Sequence, residues 1–300
     1  MKAIVTGASG FVGQYLCEHL QAEGDEVIGL DRRHDPSFDI VDRASVFKAF
    51  SAASPDTIYH LAAATHVGRS WEAPVETVRV NVEGTLNVLD AALTAGVGRV
   101  LFVGSAEEYG LSANDCERVP EDAVLRPTTP YGASKVAASY FALQAQLGTD
   151  LAVVRTRPFN HTGPGQGQEF VVPAIARRIA EAERDGNDEI IVGRTDTIRE
   201  MNDVRDIVRA YRLLVLHGAA GAVYNVCSGV GMTIGEVVER LVLLARRPLR
   251  VRQDPQFVRP VDVPRLVGDP SRLQAATGWA PEYAVDETLA DVLDEARRRP

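Results

Sequence analysis

Tyr131 and Lys135 stand four residues apart in the stretch YGASK, so at the start of a helix their side chains share one face. A phenol of pKa ~10 moves protons poorly at neutral pH, and a neighbouring ammonium favours the phenolate and lowers that value. The pair reads as a tyrosine general acid or base with a lysine able to hydrogen-bond a ribose. Ser105, in GSAEEYG (residues 104–110), ends a β-rich run and supplies a hydroxyl that can orient a carbonyl oxygen. Glu107, two residues on, is either a base for a carbon-bound proton or a bystander where only a hydride moves. On its own, YxxxK is equally an ordinary amphipathic helix with an exposed Tyr and Lys.

These residues need a scaffold. Short β-rich runs (KAIVT, EVIGL, DTIYHL, RVLFVG, LAVVRT) alternate with helical stretches over Phe11–Glu23, Ala44–Ala53, Val75–Ala95 and Tyr131–Leu147. The alternation predicts an α/β fold, a Rossmann-like, doubly wound parallel sheet covered on both faces. Beyond about residue 156, Gly and Pro become denser (FNHTGPGQGQ, DPQFVRPVDVP), which predicts a smaller C-terminal lobe closing over a ligand.

GASGFVG joins the first run to the first helix, with Gly7, Gly10 and Gly13 around Phe11 and Val12. Such a turn lets the backbone approach a pyrophosphate, and the helix N-terminus offers N–H donors. Its GxxGxxG spacing alone is also that of a tight βα turn. Asp31, 18 residues after Gly13, ends the second run, where a carboxylate accepts from ribose hydroxyls and repels a 2′-phosphate. That favours NAD. Arg32 and Arg33 follow and could welcome the phosphate, so NADP stays open.

The net charge of −9 in 300 residues argues against a general nucleic-acid or anionic-membrane surface. Cys17, Cys116 and Cys227 are scattered and odd in number, and no His/Cys/Asp cluster has metal-ligand spacing. No metal is expected, and a reducing cytoplasm fits. MKAIVTG already reads as a strand, so no leader is expected, and no apolar run reaches the ~18 residues of a membrane span. Among the six histidines, His60 and His66 read as packing residues and His161 as a support for Asn160.

Taken together, GASGFVG, FDIVD, HLAA, Asn81 in NVEGT, Ser105, YGASK, RPFNHTGPGQ and RPVDVPRLVGDPSRLQAATGW resemble the extended short-chain dehydrogenases/reductases, the group of nucleotide-sugar epimerases, dehydratases and reductases. The resemblance runs nearly the whole chain. It implies an NAD(P)-binding domain over residues 1–160 and a mainly nucleotide-sugar-binding lobe over 161–300, interleaved with the first. It implies Ser105, Tyr131 and Lys135 as the catalytic set, Asp39 and Ile40 beside the adenine, and Leu61, Ala62 and Ala63 along the dinucleotide. Asn160 would hold the substrate pyrophosphate, Arg199 and Arg259 would meet phosphates or ribose, and Asp262 would accept from the nucleoside ribose. The helices over Val75–Ala95 and Lys135–Leu147 would form a homodimer interface, although core packing explains their apolar stripes equally.

NHTGPGQ, FVVPAIARRIA, YNVCSG and RPVDVPRLVGDPSRL are similar to the GDP-mannose branch, which would put Val172 and Arg177 near the guanine. Within it, GFVG, the SAEEYG stretch and NVCSG resemble the reductases that act on the 4-keto group of a GDP-linked 4-keto-6-deoxy-hexose. Two departures stand out. Ala106 replaces the usual second serine, and REMND stands where an RDFTD-like sequence is usual. A 4,6-dehydratase needs a C5 base, which Glu107 could be, and usually an acid for the C6 hydroxyl, which Ala106 cannot be. A dehydratase or epimerase with tightly bound NAD remains the alternative. A non-catalytic nucleotide-binding sensor is the alternative of another class, disfavoured because a sensor has no physical need of Ser105, Tyr131 and Lys135 together.

Overall fold

The computed structural model describes residues 1–254 and 263–299. Five strands of the first half alternate with helices: β1 (Lys2–Thr6), β2 (Glu26–Leu30), β3 (Thr57–His60), β4 (Arg99–Val103) and β5 (Ala152–Pro158). A sixth, Val223–Val226, joins from the second half. All run parallel in the order Val223–Val226, β5, β4, β3, β1, β2, the doubly wound α/β arrangement expected.

The strands are apolar on both faces because both are covered. Ala3, Val5, Tyr59, Leu101 and Val154 point into one core with helices Phe11–Ala22 and Val204–His217. Their neighbours Ile4, Ile58, Val100, Phe102 and Val153 point into the other, with helices Arg43–Ala53, Gly84–Thr94 and Pro130–Gly148. From β1 the chain crosses to one side for β2 and to the other for β3. The crevice where strand order reverses therefore opens at the C-terminal ends of β1 and β3.

The continuous helix expected over Val75–Ala95 is interrupted. Helix Pro74–Val78 leads into a π-turn, Arg79–Glu83, before helix Gly84–Thr94. The turn aims Asn81 inward, where Oδ1 accepts from the Ala64 N–H at 2.7 Å and Nδ2 donates to Ser134 Oγ at 2.9 Å. Asn81 thereby ties the loop after β3 to helix Pro130–Gly148.

Beyond β5, helices Val171–Asp185, Ile234–Leu243 and Val285–Arg298 enclose the core of a smaller lobe. A short sheet orders Ile198–Glu200 between Gly231–Thr233 and Arg265–Leu266. The three helices' C-terminal ends converge on Arg297, which donates to both Glu183 carboxylate oxygens (2.9 and 2.7 Å) and to the Leu244 carbonyl (2.8 Å). The segment Val204–Val226 returns to the first lobe, packing helix Val204–His217 on Phe11–Ala22 and supplying the sixth strand. Among the described residues, no helix is long and apolar enough to cross a membrane.

Candidate active site

A cleft of ≈ 890 Å³ lies over the crevice and is lined by both lobes. At one end sits the glycine turn. Gly7 has φ +76°, and a Cβ there would lie 2.8 Å from the Ala62 nitrogen, so the loops after β1 and β3 touch backbone to backbone. Gly10 caps helix Phe11–Ala22 without any side-chain hydrogen bond. The first-turn N–H groups of Phe11, Val12 and Gly13 thus lack a side-chain acceptor where these residues line the cleft. This cradle fits a pyrophosphate.

Asp31 is half-buried after β2, and its Oδ1 accepts from the Arg33 N–H at 2.8 Å. Arg32 reaches outward, 70% exposed, and lies 3.8 Å from the Asp39 carboxylate. Asp39 Oδ1 in turn accepts from the Val41 N–H, holding Ile40 against Gly84. Leu61, Ala62 and Ala63 line the cleft directly beside the glycine turn, and Asp31, Arg32, Asp39 and Ile40 line the same cleft.

At the other end the structure brings Ser105, Glu107, Tyr131 and Lys135 together. Ser105 leaves β4 and caps the 3-10 turn Ala106–Glu108, with its hydroxyl accepting from the Glu107 N–H at 3.2 Å. Thr129 caps helix Pro130–Gly148 by accepting from the Gly132 N–H at 3.0 Å, and Pro130 opens it. That start sets Tyr131 and Lys135 on the cleft face. Ser105 and Tyr131 line the cleft side by side, and Lys135 Nζ donates to the Val103 carbonyl at 2.8 Å.

The electrostatics differ from the expectation for Tyr131. Burial pushes the phenol above its ordinary value, the nearby Glu107 and Glu108 charges add to the rise, and the Ser105 hydroxyl opposes it. The Lys135 ammonium, held at the Val103 carbonyl, is itself lowered to about 8 by burial, with Glu108 opposing. Tyr131 is therefore a protonated phenol at neutral pH. Ala106 is 3% exposed and has no proton to give, while Glu107 is half-buried on the cleft wall.

Asn160 is exposed into the cleft after β5, and its carbonyl accepts from the Asn202 N–H at 3.1 Å and from Nδ2 at 2.9 Å. His161 stacks on Phe11 (ring centroids 6.3 Å apart, 9° between planes), linking the substrate loop to the glycine turn. The other second-lobe residues are elsewhere. Val172 is 1% exposed in the lobe's core, and Arg177 bonds Gln168 and Glu181 on a helix surface. Arg199 donates to the Ile198 carbonyl, and none of these three lines the cleft. Arg259 and Asp262 lie outside the described residues.

Sequence reasoning missed Gln166, Glu169 and Phe170, which line the cleft immediately after NHTGPG. Their place directly behind Asn160 was the available signal. It also missed the buried pair Glu108–Arg157 (2.8 Å, 0% and 4% exposed), whose only trace is two arginines, Arg155 and Arg157, within an apolar strand.

Comparison with known proteins adds the family. The family described as GDP-mannose 4,6 dehydratase matches residues 4–292. A GDP-6-deoxy-D-mannose reductase of Pseudomonas aeruginosa is 36% identical over 99% of this chain and 98% of that protein. A GDP-mannose 4,6-dehydratase of Yersinia enterocolitica is 28% identical over 97% and 92%. Among solved structures, RMD from Pseudomonas aeruginosa complexed with NADPH superposes with a TM-score of 0.90 at 35% identity, covering 99% of both chains. The UDP-glucose 4-epimerase of Thermus thermophilus with NAD gives 0.89 at 29%, again over 99% of both. The cradle, the Ser105–Tyr131–Lys135 set and these full-length matches agree: the chain belongs to the GDP-mannose 4,6-dehydratase family.

Proposed function

We propose that the protein is an NAD(P)-dependent oxidoreductase that reduces the 4-keto group of a GDP-linked 4-keto-6-deoxy-hexose, forming GDP-6-deoxy-D-mannose. The observation that carries this reading is Tyr131 set with Lys135 and Ser105 on the wall of a cleft that also holds a dinucleotide cradle, with Ala106 next to Ser105. The cofactor, when bound, supplies the hydride. Gly7, Gly10 and Gly13 receive its pyrophosphate, Asp31 and Asp39 face its adenosine end, and Lys135 meets its nicotinamide ribose. Ser105 polarises the ketone, and Tyr131 delivers the proton to the alkoxide oxygen as it forms. Asn160 holds the sugar-nucleotide pyrophosphate.

Asp31 favours NAD, while the exposed Arg32, able to take a 2′-phosphate, keeps NADP as the alternative. The chain works in the cytoplasm as a homodimer. Trp71, Val75, Leu86, Tyr140 and Phe141, exposed on helices that pack together, support that assembly, and light scattering of the purified protein tests it.

Glu107 on the cleft wall favours a second reading, a 4,6-dehydratase in which it removes the C5 proton. Mass spectrometry separates the two. Gain of two hydrogens from GDP-4-keto-6-deoxy-mannose with NAD(P)H supports reduction. Loss of water from GDP-mannose with NAD(P)+ overturns it in favour of the dehydratase. Thermal protection by UDP or dTDP but not by GDP would sink the guanine assignment.

A further inference from the structure

The turn that presents Ser105 is fastened from inside by a buried ion pair. Glu108 has no exposed surface. Its Oε2 accepts from Arg157 Nε–H at 2.8 Å, and its Oε1 accepts from the Ser105 N–H at 3.0 Å. Arg157 Nη1 donates to Tyr109 Oη at 3.0 Å and to the Glu121 carbonyl at 2.9 Å. Tyr109 Oη in turn donates to Asn225 Oδ1 at 2.6 Å. A continuous hydrogen-bonded chain thus runs from the outermost strand, Val223–Val226, through β5 to the Ser105 peptide. A Cβ added at Gly104 would overlap the Glu108 carboxylate, so the backbone is pressed against it.

Stability is a poor reason for such a pair, because apolar side chains of similar volume often serve a core as well or better. Its position supplies a better one. We propose that Glu108, locked by Arg157, is the positioning residue of this site: it fixes the Ser105 peptide and sets a buried negative charge directly behind it. The proposal rests on the reading above in taking Ser105 and Tyr131 as the groups that meet the ketone.

The pair is carried as ions. Burial pushes the Glu108 carboxyl up, but protonating it would strand a guanidinium that does not give up its own proton. The charge of Glu108 raises the proton affinity of both Lys135 and Tyr131. The other groups facing them are Glu107, from the same turn as Glu108, which acts on Tyr131, Tyr211 from helix Val204–His217, and His60 from β3, which is neutral. Among the described residues, Glu108 is the carboxylate that acts on Lys135.

The test is the pH profile of kcat/KM with GDP-4-keto-6-deoxy-mannose and NADPH for the wild type, Glu108→Gln and Glu108→Asp, with thermal melts alongside. Gln keeps an acceptor for the Ser105 N–H but removes the charge. Its alkaline limb lies about one unit below that of the wild type, with KM for the keto sugar within about twofold. Asp keeps the charge but falls a methylene short of Ser105, so kcat drops about tenfold while the limb stays in place. Superimposed profiles with kcat within about twofold, or a fall in melting temperature alone, overturn the proposal. If the Gln variant does not fold, unchanged kcat in the Asp variant overturns it by itself. A wild type without turnover refutes the reductase reading and this proposal with it. Wild-type turnover with unaltered variants refutes only the positioning role.

Discussion

Gly13→Ala isolates what the glycine turn does. In a helix interior the change would gain about 1 kcal/mol of propensity. Here the new Cβ would overlap the Gly7 carbonyl and lie 2.8 Å from Ala8 Cα and 2.9 Å from the Ala8 carbonyl carbon. Unbonded carbons sit ~3.5–4.0 Å apart at best, so the loop must retreat by about 1 Å. The obstacles are backbone atoms, which cannot rotate away, and such overpacking costs about 1–3 kcal/mol. On the proposed function the backbone that retreats is the one that receives the dinucleotide, so the cost falls on cofactor binding. At 1.4 kcal/mol per factor of ten, NADPH affinity should fall about 5- to 150-fold. Gly24→Ala is the control: at φ +82° a side chain is strained, but nothing lies within 4 Å of its Cβ. That variant should lose about 1 kcal/mol of stability and bind NADPH unchanged. Titrations followed by protein fluorescence, with thermal melts of each variant, read both numbers. Wild-type affinity in Gly13→Ala, or equal losses in the two variants, would refute the cradle.

Tyr131→Phe should lower kcat by about 10²- to 10⁴-fold and leave NADPH binding within about threefold; equal loss of binding would make Tyr131 structural. His60, bonded to Thr6 and Thr85, is held near pKa about 3 by burial, with the Lys135 charge adding. Its unfolded form takes a proton below about 6.5, so the stability it contributes is whole above that value and is lost as pH falls through about 3. The loss between pH 7 and pH 5 comes to about 2 kcal/mol, and His60→Gln should remove that share of the decline measured by urea unfolding. Arg297→Ala strands a Glu183 side chain that is 9% exposed and releases the Leu244 carbonyl, costing about 1–3 kcal/mol with kcat unchanged. A melt that does not move would show the three helix ends to be held by packing alone.

The sheet was legible because short continuous apolar runs between helical stretches admit few arrangements, and a parallel sheet buried on both faces needs only Val, Ile, Leu and Ala in short blocks. The π-turn at Asn81 was not. Its sequence, VRVNVEGT, has the apolar content of a plain helix, and the break serves a partner 53 residues away, Ser134. The return of Val204–Val226 to the first lobe was illegible in the same way. A helix with one apolar stripe fits either lobe, and only the three-dimensional edge of β5 decides which.

The site shows the same limit at shorter range. Glu107 and Glu108 are adjacent and chemically identical, so residue type alone does not separate a base from a support. A 3-10 turn advances each residue by about a third of a rotation, so one glutamate opens onto the cleft and the next is driven inward. Only the inward one meets Arg157, because β5 alternates its side chains and Arg157 faces the turn. Which glutamate opens onto the cleft and which is locked to Arg157 thus depends on the phase of two periodicities, 3 and 2, meeting at Ser105. That phase is written in neither segment alone. It also explains why Tyr131 departs from the expected shift: four-residue spacing brings Lys135 onto its face, but the Val103 carbonyl at the end of β4 takes the ammonium. Burial then dominates, and the phenol stays protonated at neutral pH.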